Sequence, residues 1–162
     1  MINSDTLYAS VGKIIINLQS LELMLRLFLE ETVGPKDRST QLDRLSVGDR
    51  VPETPITNYD TLRKIIKKVN NQLLILGKNE KIDETLVHLR DSIAHGRAMS
   101  RDPNGIPRLI KFKNAKIGGL VEVDTSVDLT PQWLSSQVKR VYKEILKIVR
   151  ISKELGLPCF PT

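Results

Sequence analysis

The sequence predicts an all-α protein: a four- to five-helix antiparallel bundle with a small β-hairpin inserted before the last helix. In four segments, apolar residues recur at three- and four-residue steps, the period of an amphipathic helix. A fifth segment changes to two-residue alternation on either side of a Gly-Gly pair, as a hairpin does. At 162 residues and without an internal repeat, the chain is expected to form a single domain, 1–162.

The first helix is expected to begin at Ser4 or Asp5 and to stop at Gly34-Pro35. Further apolar residues widen its apolar band beyond what one core face needs, so it either lies centrally in a bundle or contributes to a subunit interface. Its core-facing positions are Leu7, Val11, Ile14, Leu18, Leu21, Leu25 and Phe28, and the additional ones are Ile15, Leu23, Leu27 and Leu29.

A loop and a second helix follow. Residues 35–57 are rich in Pro, Gly, Asp, Ser and Thr, which is typical of a long loop. Asn58 or Asp60 is then expected to cap a basic second helix that ends at Gly77.

The third helix is expected to run from about Lys81 to His95, with Gly96 as its stop. Beyond it, alternating residues flank Gly118-Gly119 and predict the hairpin, an insertion over 106–124. This hairpin is the one β element that the sequence predicts.

The last helix is expected to be capped by Thr130, opened by Pro131 and closed by Gly156. Its apolar residues recur at helical spacing and predict one buried face. Trp133 and Tyr142 belong to that pattern, and both are interpreted as core residues.

Composition excludes several classes of protein. Hydrophobic residues make up 40% and charged residues 27%, values ordinary for a globular domain. The one cysteine, Cys159, leaves no partner for an intramolecular disulfide and excludes a Cys-rich zinc site. We expect a cytoplasmic protein, because the N-terminus lacks the pattern of a secretion signal and no apolar stretch is long enough to cross a membrane.

The charge is basic and unevenly placed. Lys and Arg number 25 against 19 Asp and Glu, a formal net charge of +6. The excess is concentrated in 60–81, 108–116 and 139–154, whereas 1–31 is acidic. Each basic segment alone is adequately explained as a solvated face, but three in one small domain favour a nucleic acid partner. The candidate phosphate contacts in the first two segments are Lys67, Lys68, Lys111 and Lys113.

Residues 89–97 carry the most distinctive chemistry. Arg90 offers a planar fork for a phosphate, and His95 supplies an imidazole, the side chain most often used for acid–base catalysis, so the two together can cleave RNA without a metal. On a regular helix they lie about 140° apart, while Asp91 is within reach of His95 at the i,i+4 spacing. Arg90 therefore joins them through its long side chain, through unwinding near Gly96, or from a second subunit.

Arg90-Asp91-Ser92-Ile93-Ala94-His95, followed by Gly96, resembles the R-x4–6-H motif of the HEPN (higher eukaryotes and prokaryotes nucleotide-binding) superfamily. The order of elements is also similar, with 35–57 and 106–124 looking like family-variable insertions. The resemblance implies a helical bundle that dimerises and brings two motif copies into one cleft. It also implies roles: Arg90 engages phosphate, Asp91 is the polar motif position, and His95 is the acid–base group.

Two further interpretations concern the residues around the motif. Arg97 and Arg101 follow it closely and are candidate contacts to the RNA backbone, although solvated loop charges explain them equally well. A stripe of two histidines and two acids lies along the third helix, and we interpret it as a chance pattern rather than a metal site. The stripe consists of Glu84, His88, Asp91 and His95.

The expected function is that of a metal-independent endoribonuclease of the toxin or defence type, a homodimer that acts on single-stranded RNA without a cofactor. An antitoxin or regulatory protein is a candidate partner. The alternative is a non-catalytic HEPN-like dimer that binds RNA, a nucleotide or a protein. A helical scaffold with an incidental motif is the third interpretation.

Overall fold

The structure is a computed structural model that describes residues 4–34, 44–100 and 105–158. Within these ranges the chain forms four helices and three strands. In chain order they are α1 (Ser4–Val33), α2 (Leu62–Ile75), α3 (Leu86–His95), β1 (Arg97–Met99), β2 (Arg108–Ile117), β3 (Leu120–Asp128) and α4 (Pro131–Glu154).

The all-α prediction is wrong, because the described residues contain a three-stranded antiparallel sheet in the order β1-β2-β3 beside the helices. The arrangement is α+β rather than a helical bundle. The sequence gives no sign of β1, because its three residues are all exposed and show no alternation. Pairing with β2 creates this strand, in the register Arg97↔Ile110, Ala98↔Leu109 and Met99↔Arg108.

The predicted hairpin is present but longer than 106–124, since β3 continues to Asp128. Gly118 and Gly119 both have positive φ, at 58° and 80°, which is the backbone that a two-residue hairpin turn requires. The end of β3 was not predicted because the strand is almost entirely exposed and only Val127 continues the alternation of Val121 and Val123 beyond Asp124.

The predictions for the first and last helices are confirmed. α1 begins at Ser4 and ends at Val33. The Thr130 hydroxyl accepts a hydrogen bond from the Trp133 amide at 3.1 Å, so Thr130 caps α4 as expected.

The second helix starts later than expected. Its N-cap is Thr61, whose side chain makes no capping hydrogen bond. Asn58 instead uses its Oδ1 atom to accept from the Asp60 amide, which forms a local turn before the helix. At the other end Gly77 has a φ of 72°, as a helix-terminating glycine does.

The third helix begins at Leu86 rather than near Lys81. Side chains from distant segments hold the backbone before this helix, and one of them bonds to the Ile82 carbonyl, which a helix beginning near Lys81 would use. Asn70 accepts from the Ile82 amide at 2.7 Å and donates to the Ile82 carbonyl at 3.1 Å, and Glu144 accepts from the Asp83 amide at 3.1 Å. These partners are distant in the chain, so local periodicity does not reveal them.

The chain divides into two compact units. Unit 1 comprises Met1–Gln19 and Thr85–Lys143, and unit 2 comprises Ser20–Glu84 and Glu144–Thr162. The buried residues of unit 1 include Leu7, Ile14, Leu18, Leu86, Leu89, Leu109, Leu134 and Val141. Those of unit 2 include Leu21, Leu25, Phe28, Ile65, Ile66, Val69, Leu73, Ile82, Ile148 and Ile151.

The exposure of Trp133 and Tyr142 tests their assignment to the core, and the length and hydropathy of the helices test the prediction that no segment crosses a membrane. Tyr142 is 52% exposed, so its assignment to the core is wrong, whereas Trp133 is partly buried. Among the described helices, none combines the length and the apolar character needed to cross a membrane.

Candidate functional site

The motif residues Arg90 and Asp91 form an ion pair on the surface of α3. Arg90 Nη1 donates to Asp91 Oδ1 at 2.9 Å, with side-chain exposures of 46% and 27%. The Asp91 carboxylate, which the sequence places within reach of His95, instead holds Arg90. Because Arg90 uses one of its five donors here, the guanidinium keeps the capacity to bind a phosphate.

His95 is the last residue of α3, and its side chain is exposed. The helix stays regular up to this residue, so unwinding does not bring Arg90 and His95 together. At about 100° per residue the two project about 140° apart around the axis. A phosphate held by both therefore requires either the full reach of Arg90 or an Arg90 from a second chain.

Gly96 allows the end of α3 to approach strand β2 closely. Its amide donates to the Ser92 carbonyl at 2.8 Å. A Cβ atom at this position would lie 2.3 Å from that carbonyl oxygen and 2.6 Å from Leu109 Cδ1. Packing therefore requires glycine at this position, and this explains the glycine of the motif without a role in catalysis.

A pocket of about 250 Å³ lies in unit 1 beside α3, and we call it the unit 1 pocket. Residues of α3, β2, β3 and α4, together with Thr85, form its walls. The lining residues are Thr85, His88, Leu89, Ser92, Leu109, Thr125, Trp133, Gln137 and Arg140.

Hydrogen bonds fix the polar side chains of the unit 1 pocket. The hydroxyl oxygens of Ser92 and Thr125 are 3.0 Å apart and share one hydrogen bond between α3 and β3. On α4, Arg140 Nη1 donates to Gln137 Oε1 at 3.2 Å, and Nη2 donates to the Thr85 hydroxyl. The walls therefore present hydroxyl, amide and guanidinium groups in set positions, together with the imidazole of His88.

The face of α3 that lines the unit 1 pocket continues to His95. His88, Ser92 and His95 follow one another at spacings of four and three, so they share one helical face. Ser92 and His95 are separated by about 4.5 Å along the helix axis at 1.5 Å per residue. His95 therefore stands next to the pocket, whereas Arg90 lies on another side of the helix.

The predicted phosphate contacts on the hairpin are paired with acids. Lys111 Nζ lies 2.6 Å from Asp124 Oδ2, and Lys113 Nζ lies 2.7 Å from Glu122 Oε1. The hydrogen bond from Lys111 lowers the pKa of Asp124, and the hydrogen bond to Glu122 raises the pKa of Lys113. Both pairs cross from β2 to β3, so the hairpin is far less positive than the sequence of 108–116 suggests.

The remaining predicted RNA contacts are dispersed. Arg97 lies over the ring of Phe112, with 5.2 Å between the guanidinium carbon and the ring centroid. Lys67 is exposed on α2 in unit 2, and Lys68 pairs with Asp60 at 2.5 Å. Arg101, like Cys159, lies outside the described residues.

The predicted stripe of Glu84, His88, Asp91 and His95 does not form a metal-ligand group. Across residues 4–34, 44–100 and 105–158, no three His, Cys, Asp or Glu side chains come together in the geometry that would hold a metal ion.

Sequence reasoning missed most of the lining of the unit 1 pocket. Thr125, Trp133, Gln137 and Arg140 lie 30 to 50 positions beyond the motif, on elements that only the fold brings next to α3. Helical spacing marks Trp133 as an apolar residue of the last helix, which does not distinguish a pocket wall from a core. Arg140 is visible in sequence only as one member of the basic segment 139–154.

Unit 2 contains a second pocket, of about 300 Å³, which we call the unit 2 pocket. Lys68 is the one predicted site residue in its lining. The lining residues are Leu29, Val33, Pro55, Asn58, Asp60, Ile65, Lys68, Asn71, Gln72 and Ile75.

A single arginine of α1 fixes one wall of the unit 2 pocket. The Arg26 side chain is only 11% exposed. It donates to the carbonyl oxygens of Pro55 at 2.9 Å, Asn58 at 3.1 Å and Asp60 at 2.8 Å, and to Glu22 Oε1. All three carbonyls belong to residues that line the pocket.

Comparison with known proteins returns no match among protein-family models, curated proteins or solved structures. Membership of the HEPN superfamily therefore stays a prediction that depends on the motif at Arg90–His95.

Proposed function

We propose that the protein is a metal-independent endoribonuclease of the toxin or defence type, which acts as a homodimer on single-stranded RNA. The observation that carries the proposal is the position of His95, exposed at the end of α3 and on the helical face that lines the unit 1 pocket. An exposed imidazole beside a polar pocket is the arrangement that acid–base catalysis on a bound strand needs.

In the proposed reaction the 2′-oxygen of the RNA attacks the adjacent phosphorus while the bond from phosphorus to the 5′-oxygen breaks. The 2′-hydroxyl loses its proton, the 5′-oxygen gains one, and the products are a 2′,3′-cyclic phosphate and a 5′-hydroxyl. His95 moves these protons, and Arg90 stabilises the charge that develops on the phosphate oxygens. Asp91 is a positioning residue, because it holds the guanidinium of Arg90.

A second copy of the chain is proposed because Arg90 and His95 project in different directions from α3. The unit 1 part of α1 supplies a surface suited to such a partner: Tyr8, Ile15 and Ile16 are 70%, 40% and 61% exposed. An exposed apolar stripe of this kind offers a surface on which a second helix can pack.

A binding module without catalysis is the alternative, and the hairpin favours it. Since Lys111 and Lys113 are paired with acids, the positive field available for an RNA backbone is smaller than the charge count implies. Such a module binds RNA, a nucleotide or a protein without turnover, and its binding does not depend on His95.

Cleavage of single-stranded RNA in EDTA tests the proposal. His95→Ala should slow cleavage by about 10²- to 10⁴-fold, the usual contribution of acid–base catalysis. Gln132→Ala, an exposed change on α4, is the matched control and should cleave at the rate of the unaltered protein. Equal rates for His95→Ala and the control would contradict the proposal, and binding without turnover would select the alternative.

Mixing two inactive variants tests whether the site is shared between chains. In a dimer of one Arg90→Ala chain and one His95→Ala chain, one of the two composite sites keeps both residues. The mixture should therefore recover up to a quarter of the activity, since about half of randomly paired chains are mixed dimers, each with one of two sites intact. No recovery would place Arg90 and His95 in the same chain.

A further inference from the structure

The wall of the unit 1 pocket contains the only tryptophan of the chain, Trp133. It lies partly buried near the start of α4, and Leu89 and Leu109 supply further apolar lining. Tryptophan offers a large flat surface at low conformational cost, which makes it an effective stacking platform for a planar ring.

Hydrogen-bonding groups accompany this aromatic wall. The hydroxyls of Ser92 and Thr125 are bonded to each other, and each hydroxyl has one donor and two acceptor positions, so capacity remains for a ligand. The Gln137 amide accepts from Arg140 and donates to Ser136 at 3.2 Å. One N–H and one lone pair of that amide remain, enough to read one edge of a planar polar ring.

The size of the pocket limits its occupant. Pockets for drug-sized ligands span about 300–1,000 Å³, and the unit 1 pocket, at about 250 Å³, lies just below that range. A single ring system therefore fits better than two stacked bases. Proteins recognise unpaired bases by this combination of an aromatic face with fixed hydrogen-bonding groups at the base edge.

We infer that the unit 1 pocket binds one unpaired nucleobase of the RNA, stacked on Trp133 and read by Gln137, Ser92 and Thr125. This inference rests on the proposed function and extends it from cleavage to selection of the strand. Because His95 follows Ser92 by about one helical turn, a base in the pocket places a neighbouring phosphate near the imidazole. A base that remains stacked within a duplex does not reach Trp133, so paired RNA is excluded.

Fluorescence of Trp133 measures the binding directly. The probe is a 2′-O-methyl RNA tetranucleotide, which lacks the 2′-hydroxyl nucleophile and is not cleaved. The single strand should quench the fluorescence saturably, whereas a blunt-ended 2′-O-methyl duplex without unpaired bases should not. Loss of a stacking partner weakens binding by roughly 5- to 150-fold per base, so a contribution of this size is measurable in the titration.

Matched variants on α4 and β3 assign the binding to the pocket. Gln137→Leu should weaken binding of the tetranucleotide about 10-fold, and Gln132→Leu, on the same helix but outside the pocket, should leave it unchanged. Thr125→Val keeps the shape of the side chain and removes the hydroxyl, so it should also weaken binding. Circular dichroism checks that all three variants are folded.

The outcomes separate this inference from the proposed function. Saturable quenching by single strands, with weaker affinity in Gln137→Leu and unchanged affinity in Gln132→Leu, supports the base pocket even if the unaltered protein cleaves no RNA. Cleavage that depends on His95 without quenching, or with equal affinity in both glutamine variants, overturns the base pocket while the nuclease proposal stands. Equal quenching by the blunt-ended duplex overturns selection of unpaired bases.

Discussion

The unit 1 pocket and the unit 2 pocket are similar in volume but differ in what their polar groups do. In unit 2, Arg26 donates to three backbone carbonyls of the pocket wall and to Glu22, and Lys68 pairs with Asp60. In unit 1, Ser92, Thr125 and Gln137 are positioned by one or two hydrogen bonds each and retain capacity for more.

This difference distinguishes polar groups that hold a fold together from those that are available to a ligand. A buried network whose members are satisfied by one another rigidifies the chain around it. Polar groups that are held in place but still have unused hydrogen-bond donors or acceptors can exchange water for a ligand at low cost. We therefore place the candidate site in unit 1 and assign a structural role to the charged residues of the unit 2 pocket.

The largest expected effect tests the structural role of Arg26. Arg26→Ala removes a mostly buried cation and leaves the carbonyls of Pro55, Asn58 and Asp60 without their donor. We expect the free energy of unfolding to fall by about 3 kcal/mol, as for other broken buried pairs. Urea denaturation followed by circular dichroism measures this loss.

The exposed arginine of α2, Arg63, provides the control for Arg26. Arg63→Ala should change the free energy of unfolding by no more than about 0.5 kcal/mol. If the free energy of unfolding falls equally in the two variants, the hydrogen bonds from Arg26 to the backbone carbonyls are not what stabilises unit 2. The polar groups of the two pockets would then not differ in the way described above.

A somewhat smaller effect is expected from the close packing of unit 1. Gly96→Ala places a methyl group against the Ser92 carbonyl and Leu109. The end of α3 must shift, and we expect the free energy of unfolding to fall by about 1–3 kcal/mol, the usual range for overpacking. Gly12→Ala, in an open position of α1, should instead raise the free energy of unfolding by about 0.5–1 kcal/mol, because alanine has a higher helix propensity than glycine.

Thermal denaturation of the two glycine variants separates these expectations by the sign of the change in Tm. A Gly96→Ala protein as stable as the unaltered one would mean that the approach of α3 to β2 is not constrained. In that case the position of Ser92 and His95 beside the pocket would lose its structural basis.

The smallest effect concerns the pH dependence of unit 2. The hydrogen bond from Lys68 holds the pKa of Asp60 below its ordinary value. Because the folded-state pKa is depressed, the ion pair stabilises the protein fully above the unfolded pKa of about 4. That contribution is lost as the pH falls through the lower folded value.

Asp60→Asn should therefore be less stable than the unaltered protein at pH 7, and the difference should shrink as the pH falls below about 4. Denaturation in urea at several pH values measures this difference in the free energy of unfolding. Lys68→Met should reproduce the loss, whereas Lys67→Met, at the neighbouring exposed position, should not. A difference that is independent of pH would show that Asp60 stabilises the fold by some means other than its charge.

The hairpin shows why charge counted along the sequence differs from charge in the folded protein. Residues 108–116 contain basic residues and no acid, which suggests a phosphate-binding patch. Antiparallel pairing then sets Asp124 beside Lys111 and Glu122 beside Lys113. The register includes a bulge, since Lys111 pairs with Thr125 and Phe112 with Val123, and Asp124 has no partner in the ladder. Sequence distance alone does not reveal these pairs.

The sequence by itself determined α1, the turn at Gly118-Gly119 and the start of α4, because apolar period, glycine conformation and helix capping act over a few residues. It also singled out Arg90, Asp91 and His95. Tertiary structure alone decided the strand at Arg97–Met99, the late start of α3 and the unit 1 pocket. Each of these depends on hydrogen bonds or packing between segments far apart in the chain, and local patterns carry no information about such partners.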